Sequence, residues 1–251
     1  MIIGARTAAW RGANMNNPYI TDGLVCHIDG EWNAGIGKHD DSVQEWIDLS
    51  GNGNVFIPTT NGSFVWGENY LDMSARNYTP IEKGTYLGSL MAMPDNSPFT
   101  FECVFRNFSG RGVNTGNPIA CNGMVGSFYG TKFATEGWSG TGNVTVTISS
   151  GQDNIIPSSS PLNPNTDYGL SFAIDEQSCV FSKNGIQTSL KISLGTQKKY
   201  NHLSIFGWAN VKEYYVCSAS RGYSMRLYNR VLTAEEIAAN YEIDKSRFGI
   251  P

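Results

Sequence analysis

Tyr223-Ser-Met-Arg-Leu-Tyr-Asn-Arg-Val-Leu-Thr-Ala-Glu-Glu-Ile-Ala-Ala-Asn-Tyr241 is the one stretch of this chain in which a strand pattern runs straight into a well-marked helix start. Tyr223, Met225, Leu227 and Asn229 alternate with Ser224, Arg226, Tyr228 and Arg230, the period of a strand with two unlike faces. Thr233 then offers a hydroxyl as N-cap, and Glu236 three residues later completes a capping box. Glu235 and Glu236 put negative charge where the helix dipole favours it. Ile237 and Tyr241 fall one turn apart, with Asp244 and Phe248 next on that row. The stretch predicts a closing strand followed by a helix.

Working outward, the chain repeats the strand half of this pattern and not the helix half. Pro98 precedes Phe99-Thr-Phe-Glu-Cys-Val-Phe105, whose odd positions are Phe, Phe, Cys and Phe and whose even positions are Thr, Glu and Val. One face of that strand is therefore buried. Val144, Val146 and Ile148 alternate with Thr145 and Thr147 in the same way. Gly23 to Asp29, Glu45 to Leu49, Asp167 to Ile174 and the pair 178–182 and 186–188 also read as strands, the last two joined by an Asn184-Gly185 hairpin turn. Ser50-Gly-Asn-Gly-Asn54 is a strong turn signal, and 107–120 and 151–164 read as loops. About a dozen evenly spaced strands without intervening helices exclude βαβ units. The expectation is an all-β fold: a two-sheet antiparallel jelly-roll sandwich with one short C-terminal helix.

Length and composition agree. The chain has 251 residues, 28 of them glycine, and only 16% are charged, a balance that favours short strands and turns over helices. Residues 1–21 are polar and rich in Gly and Asn and read as an N-terminal arm or linker; 22–251 reads as one domain. The net charge is −4 with no basic stripe, so nucleic-acid binding has no electrostatic footprint. No apolar run is long enough to span a membrane, and the first ten residues do not form a secretory signal. A cytoplasmic or virion-associated protein is the expectation. The five cysteines (Cys26, Cys103, Cys121, Cys179, Cys217) show no metal-ligand spacing and read as buried thiols, with one or two disulfides as the alternative.

Asp22-Gly-Leu-Val-Cys-His-Ile-Asp-Gly30, Trp46-Ile-Asp-Leu-Ser-Gly-Asn-Gly-Asn54, Phe99 to Phe105, Val180-Phe-Ser-Lys-Asn-Gly185 and Arg226-Leu-Tyr-Asn-Arg-Val-Leu-Thr-Ala-Glu-Glu-Ile237 occur in that order. Together they resemble the laminin-G-like branch of the concanavalin A-like lectin/glucanase superfamily, of the type seen in phage and gut-bacterial proteins. The resemblance covers about residues 22–249 and implies a jelly roll of two curved sheets, used mostly for binding or as scaffold. Glucanases of that superfamily carry Glu-x-Asp-x-Glu on one strand, which alternation places on one face. This chain has no such spacing: Glu102 and Asp29 stand alone, so no catalytic residue is assigned and an enzyme is not expected. Relatives that hold Ca²⁺ at a sandwich rim suggest Asp29, Asp48, Asn52 and Asn54 as oxygen donors. The acidic pair common before the Arg-x-Tyr-Asn run is Gly222-Tyr-Ser-Met225 here, so no metal or cofactor is assigned.

Sugar binding requires exposed aromatic faces and planar amides in loops. Trp32, Trp138 and Trp208 supply the faces, with Tyr129 and Asn210 beside them in sequence. The reading is a non-catalytic module that binds a glycan or a surface receptor. The alternatives are a structural virion or assembly protein whose residues 1–20 make subunit contacts, and an unusual glycoside hydrolase.

Overall fold

A computed structural model describes residues 17–58, 63–74, 80–82, 98–107, 117–121, 131–135, 144–148, 153–155, 162–175, 177–191, 204–206 and 219–251. With strands numbered along the chain, the first antiparallel sheet runs β1 (Leu24–Asp29), β15 (Ala219–Tyr228), β6 (Phe99–Asn107), β11 (Asp167–Ile174), β12 (Ser178–Lys183) and β13 (Ile186–Lys191). β4 (Leu71–Asp72) also pairs with β15. The second runs β10 (Asp153–Ile155), β9 (Val144–Ile148), β8 (Thr131–Thr135), β7 (Asn117–Cys121), β14 (Ser204–Ile205), β5 (Pro80–Glu82), β3 (Val55–Pro58) and β2 (Trp46–Ile47). One helix, α1 (Ala234–Phe248), follows β15. The chain is an all-β, two-sheet antiparallel sandwich with a single short C-terminal helix, as the alternation predicts.

The core lies between the sheets. Phe99, Phe101, Cys103 and Phe105 of β6 meet Leu170, Phe172 and Ile174 of β11, with Met225 and Leu227 of β15 alongside. Trp46 of β2, Phe56 of β3 and Ile205 of β14 close on them from the other sheet. Each such side chain taken fully from water contributes roughly 1.5–3 kcal/mol. The two-residue period thus sends the apolar half of every central strand inward.

The even positions of β6 are not solvent-facing. Thr100, Glu102 and Val104 are buried as deeply as their neighbours, because α1 lies across the outer face of the first sheet. Ile237, Asn240, Asp244 and Phe248 are the buried residues of α1. Tyr241, expected on that row, is only half-buried and lies over Gly169 and Gly185, where a Cβ would meet its ring. Both capping-box bonds at Thr233 are present, and Gly249 closes the helix at φ 65° while its N–H donates to the Lys245 carbonyl. Replacing Thr233 by Ala removes the cap acceptor for the Glu236 N–H. It is expected to lower stability by about 1 kcal/mol, read as a shift of the urea midpoint without change of slope.

Two runs read as loops contain strands: β7 begins in 107–120, with Pro118 within it, and β10 lies in 151–164. Both are short segments, β7 interrupted by Pro118 and β10 mostly polar, whose strand state comes from pairing with β8 and β9 rather than from their own pattern. The boundary expected at residue 22 also moves. Tyr19 is buried, its hydroxyl donates to Asp244 at 2.8 Å, and the Ile20 N–H donates to Asn240 at 3.1 Å. Residues 17–21 therefore pack on α1 rather than belonging to an arm. Among the described residues no helix is long and apolar enough to cross a membrane.

Candidate functional site

The densest arrangement of charged side chains among the described residues lies where α1 and residues 17–21 meet the outer face of the first sheet. Arg226, on β15 opposite Glu102 of β6, donates from Nε to Glu102 Oε2 at 2.9 Å. Its two terminal nitrogens grip Asp244 of α1 at 2.9 and 2.5 Å. Its guanidinium lies 4.0 Å from the centre of the Tyr19 ring. Asn240 donates to the same Glu102 oxygen at 2.8 Å and to the Tyr228 hydroxyl at 3.0 Å. Burial works against the Arg226 charge, but Asp244 and Glu102 outweigh it and raise its pKa well above the ordinary value. Burial pushes the Glu102 carboxyl above the usual range against the pull of Arg226, and the nearby Asp244 charge pushes the same way.

A second knot adjoins it. Arg247, near the end of α1, reaches Asp29 with both terminal nitrogens at 2.7 and 3.1 Å, Glu31 at 2.7 Å and the Tyr19 hydroxyl at 2.9 Å. Asp29 Oδ1 also accepts the backbone N–H groups of Glu31 and Trp32. Burial opposes the Asp29 charge, yet His27 and Arg247 hold its carboxyl below the usual range. His27 is fully buried, with Asn17 at Nδ1, the Tyr19 ring edge-on at 5.1 Å, and Nε2 standing 3.7 Å from Asp29 Oδ2. Burial lowers its pKa, which keeps the ring neutral at neutral pH.

These contacts correct the expectation that Glu102 and Asp29 stand alone: each is bound to an arginine from a distant part of the chain. Alternation also sends the neighbouring Cys26 and His27 to opposite faces of β1. Cys26 faces the core between the sheets and His27 faces residues 17–19. Burial pushes the Cys179 thiol up to about 12 and that of Cys103 well up as well, so neither is a thiolate. Cys217 and His202 lie outside the described residues.

Of the five residues expected to meet a glycan, the structure describes one. Trp32 is half-buried on the loop after β1, and the Arg247 guanidinium covers one ring face at 3.6 Å from its centre. Tyr129, Trp138, Trp208 and Asn210 lie outside the described residues. Phe206, which ends the described segment just before Trp208, is buried at φ 59°. A bulky residue in that region is strained backbone of the kind that gathers at functional loops.

The oxygen donors suggested for Ca²⁺ do not form a cation shell. Asp48 accepts hydrogen bonds from the His27, Ser50 and Asn54 backbones, the Ser50 hydroxyl and the Asn54 amide. Asn52 and Asn54 turn their amide nitrogens onto the Val25 carbonyl. These bonds pin the 50–54 turn, where Gly51 and Gly53 take φ of 88° and 77°, against β1. Asn54 Oδ1 is a buried acceptor with no partner, but Ca²⁺ takes about six to eight oxygens. Among the described residues no three His, Cys, Asp or Glu side chains are grouped to hold a metal.

No protein-family model matches the sequence, and no curated protein is similar to it in sequence. Solved structures share its fold. The receptor-binding domain of botulinum neurotoxin C/D mosaic serotype superposes with a TM-score of 0.62 at 14% identity, over 91% of this chain and 53% of that one. A Trypanosoma rangeli sialidase in complex with sialic acid gives 0.61 at 14%, over 90% and 33%. Domain 4 of AbnA, a GH43 extracellular arabinanase from Geobacillus stearothermophilus, in complex with arabinotriose, gives 0.57 at 11%, over 86% and 96%. The chain spans about half of the toxin structure and a third of the sialidase, but nearly all of the arabinanase domain. At these identities the likeness shows the fold alone, a two-sheet β-sandwich.

Proposed function

We propose that this chain is a non-catalytic module that binds carbohydrate. The observation that carries the reading is the whole-length correspondence with an arabinanase domain solved with arabinotriose, in which a sandwich of this size acts as one unit. The chemistry of the described carboxylates supports it. A glycosidase needs two carboxyl groups free to act across a bound sugar, about 5–9.5 Å apart. Glu102, Asp244 and Asp29 are instead bound to Arg226 and Arg247 inside the protein. Sugar stacking needs aromatic faces, and the sequence candidates for it are Trp138, Trp208 and Trp32, with Tyr129 and Asn210 as further candidates.

The expected result on a glycan array is selective retention of one sugar class, arabino-oligosaccharides or sialylated glycans being the first to test. Trp138→Ala and Trp208→Ala should each weaken binding about fivefold to 150-fold, since stacking of one ring contributes on the order of 1–3 kcal/mol. An array without hits, together with tryptophan fluorescence unmoved by any polysaccharide, would overturn the proposal in favour of a protein receptor or a scaffold role.

A further inference from the structure

One row of polar residues crosses the outer face of the first sheet from edge to edge. The strand register aligns His27, Arg226, Glu102, Ser171, Ser182 and Gln187 on β1, β15, β6, β11, β12 and β13. α1 covers the middle of the row. The buried carboxylates here are Asp29, Glu102 and Asp244; they face the buried guanidinium of Arg226 and the half-buried one of Arg247, which also reaches the partly exposed Glu31. Arg247 takes both oxygens of Asp29, and the terminal nitrogens of Arg226 take both oxygens of Asp244. Glu102 is the carboxylate left over. Its two donors, Arg226 Nε and Asn240 Nδ2, both reach Oε2, and among the described residues none reaches Oε1.

Beside it is a cavity of about 10 Å³, lined by Glu102, Ser171, Ser182, Arg226, Tyr241 and Asp244 among others. The hydroxyl of Ser171 is buried there without a partner. A polar cavity of about that volume holds one water, which requires about two to four polar partners. Leaving a buried hydroxyl unpaired is unfavourable, and a buried carboxylate oxygen without a donor is unfavourable in the same sense.

We propose that this cavity binds a single water molecule between Ser171 Oγ and Glu102, and that the Glu102 carboxyl carries a proton on Oε1, so that the closing helix is docked by a proton taken from solvent on folding. The protonated carboxyl donates to the water from Oε1 and still accepts from Arg226 and Asn240 at Oε2. The charge count then closes, with two carboxylates facing two guanidiniums. The groups facing Glu102 agree. Arg226 and Tyr228 come from β15, Asn240, Tyr241 and Asp244 from α1, Tyr19 from the segment before β1, and Ser171 from β11; only Arg226 is a cation, and Asp244 already engages it. Burial displaces the Glu102 equilibrium in the same direction. Neither the proton nor the water depends on a carbohydrate ligand.

The sign follows from linkage. A carboxyl whose pKa is higher folded than unfolded stabilises the fold below the ordinary glutamate range, and that stability is lost as pH rises through the folded value. Glu102→Gln mimics the protonated acid, with an amide N–H for the water and a carbonyl for Arg226 and Asn240. Urea unfolding of both proteins from about pH 4 to pH 9 is the test. At acid pH the two should agree. Above the ordinary glutamate range, the wild-type folding constant should fall relative to that of the Glu102→Gln variant by up to about tenfold per pH unit until the folded value is passed. The infrared carbonyl band of a protonated carboxyl should be present in the folded wild type at neutral pH and absent from the variant. A high-resolution crystal structure should show one water within hydrogen-bond reach of Ser171 Oγ and Glu102. Parallel stability profiles, a Glu102→Gln chain that does not fold at any pH, a dry cavity, or a metal ion in place of the water would each overturn the proposal.

Discussion

Arg226→Ala is expected to lower the unfolding free energy by about 3–5 kcal/mol, because it removes the guanidinium from a site where its partners cannot regain water. Asp244 would lose both of its charged donors and Glu102 one of two. The stacked Tyr19 ring would lose its covering cation as well. Since domains are stable by only about 5–15 kcal/mol, the variant should be partly unfolded or poorly soluble at physiological temperature. A companion separates charge from packing. Arg226→Met with Glu102→Leu and Asp244→Leu replaces the cluster by apolar groups of similar size. It should recover most of the loss, and replacements of this kind are often neutral or stabilising by about 1–4 kcal/mol. Chemical denaturation of the single and triple variants decides it. A single variant within about 1 kcal/mol of wild type would mean that water reaches the cluster.

Trp46→Ala should be comparably severe, for a different reason. Trp46 is fully buried between the sheets, its ring edge-on to Trp66 at 5.3 Å and to Phe64 at 6.4 Å, and its Nε1–H donates to the Asp29 carbonyl at 3.0 Å. Removing the indole opens a cavity that the surrounding elements cannot close and strands a buried carbonyl. Substitutions of this kind cost about 3–5 kcal/mol. For a chain of this length that corresponds to roughly 6–20 °C in Tm. Differential scanning calorimetry reads it directly, and Trp46→Phe, which keeps part of the ring, should lose less. An unchanged Tm would show that the aromatic cluster does not hold the second sheet to the first.

What could be read in advance follows from which interactions are local. The inward face of Phe99 to Phe105, the capping box at Thr233 and the Asn184-Gly185 turn, with φ of 49° and 78°, depend on neighbours a few residues away. Arg230, expected to pair with a helix or sheet carboxylate, forms a two-toothed bridge to Glu236 six residues on. The burial of Glu102 was not legible. Period-two alternation marks its face as polar but cannot say that a helix more than a hundred residues later will cover it. Arg226 and Glu102 are 124 positions apart and meet only through the β15–β6 register. Tyr19 reads as part of an arm because its neighbours are polar, although its partners, Asp244 and Arg247, are more than two hundred residues away. For the proposed glycan contacts, aromatic residues between glycines mark candidates in the sequence, and nothing local specifies which of them come together.

The docking of residues 17–21 on α1, with β1 and β15 side by side, has a consequence for where such a domain can live. The polypeptide enters and leaves the sandwich at one place. Two ends that lie together act like a single clasp. Such a unit can be attached at the head or tail of another protein, or spliced into one of its surface loops, without either hydrophobic interior being redrawn. Gene rearrangement can therefore move it as a cassette, and the two strands at the clasp are where a host would feel its folding and unfolding first.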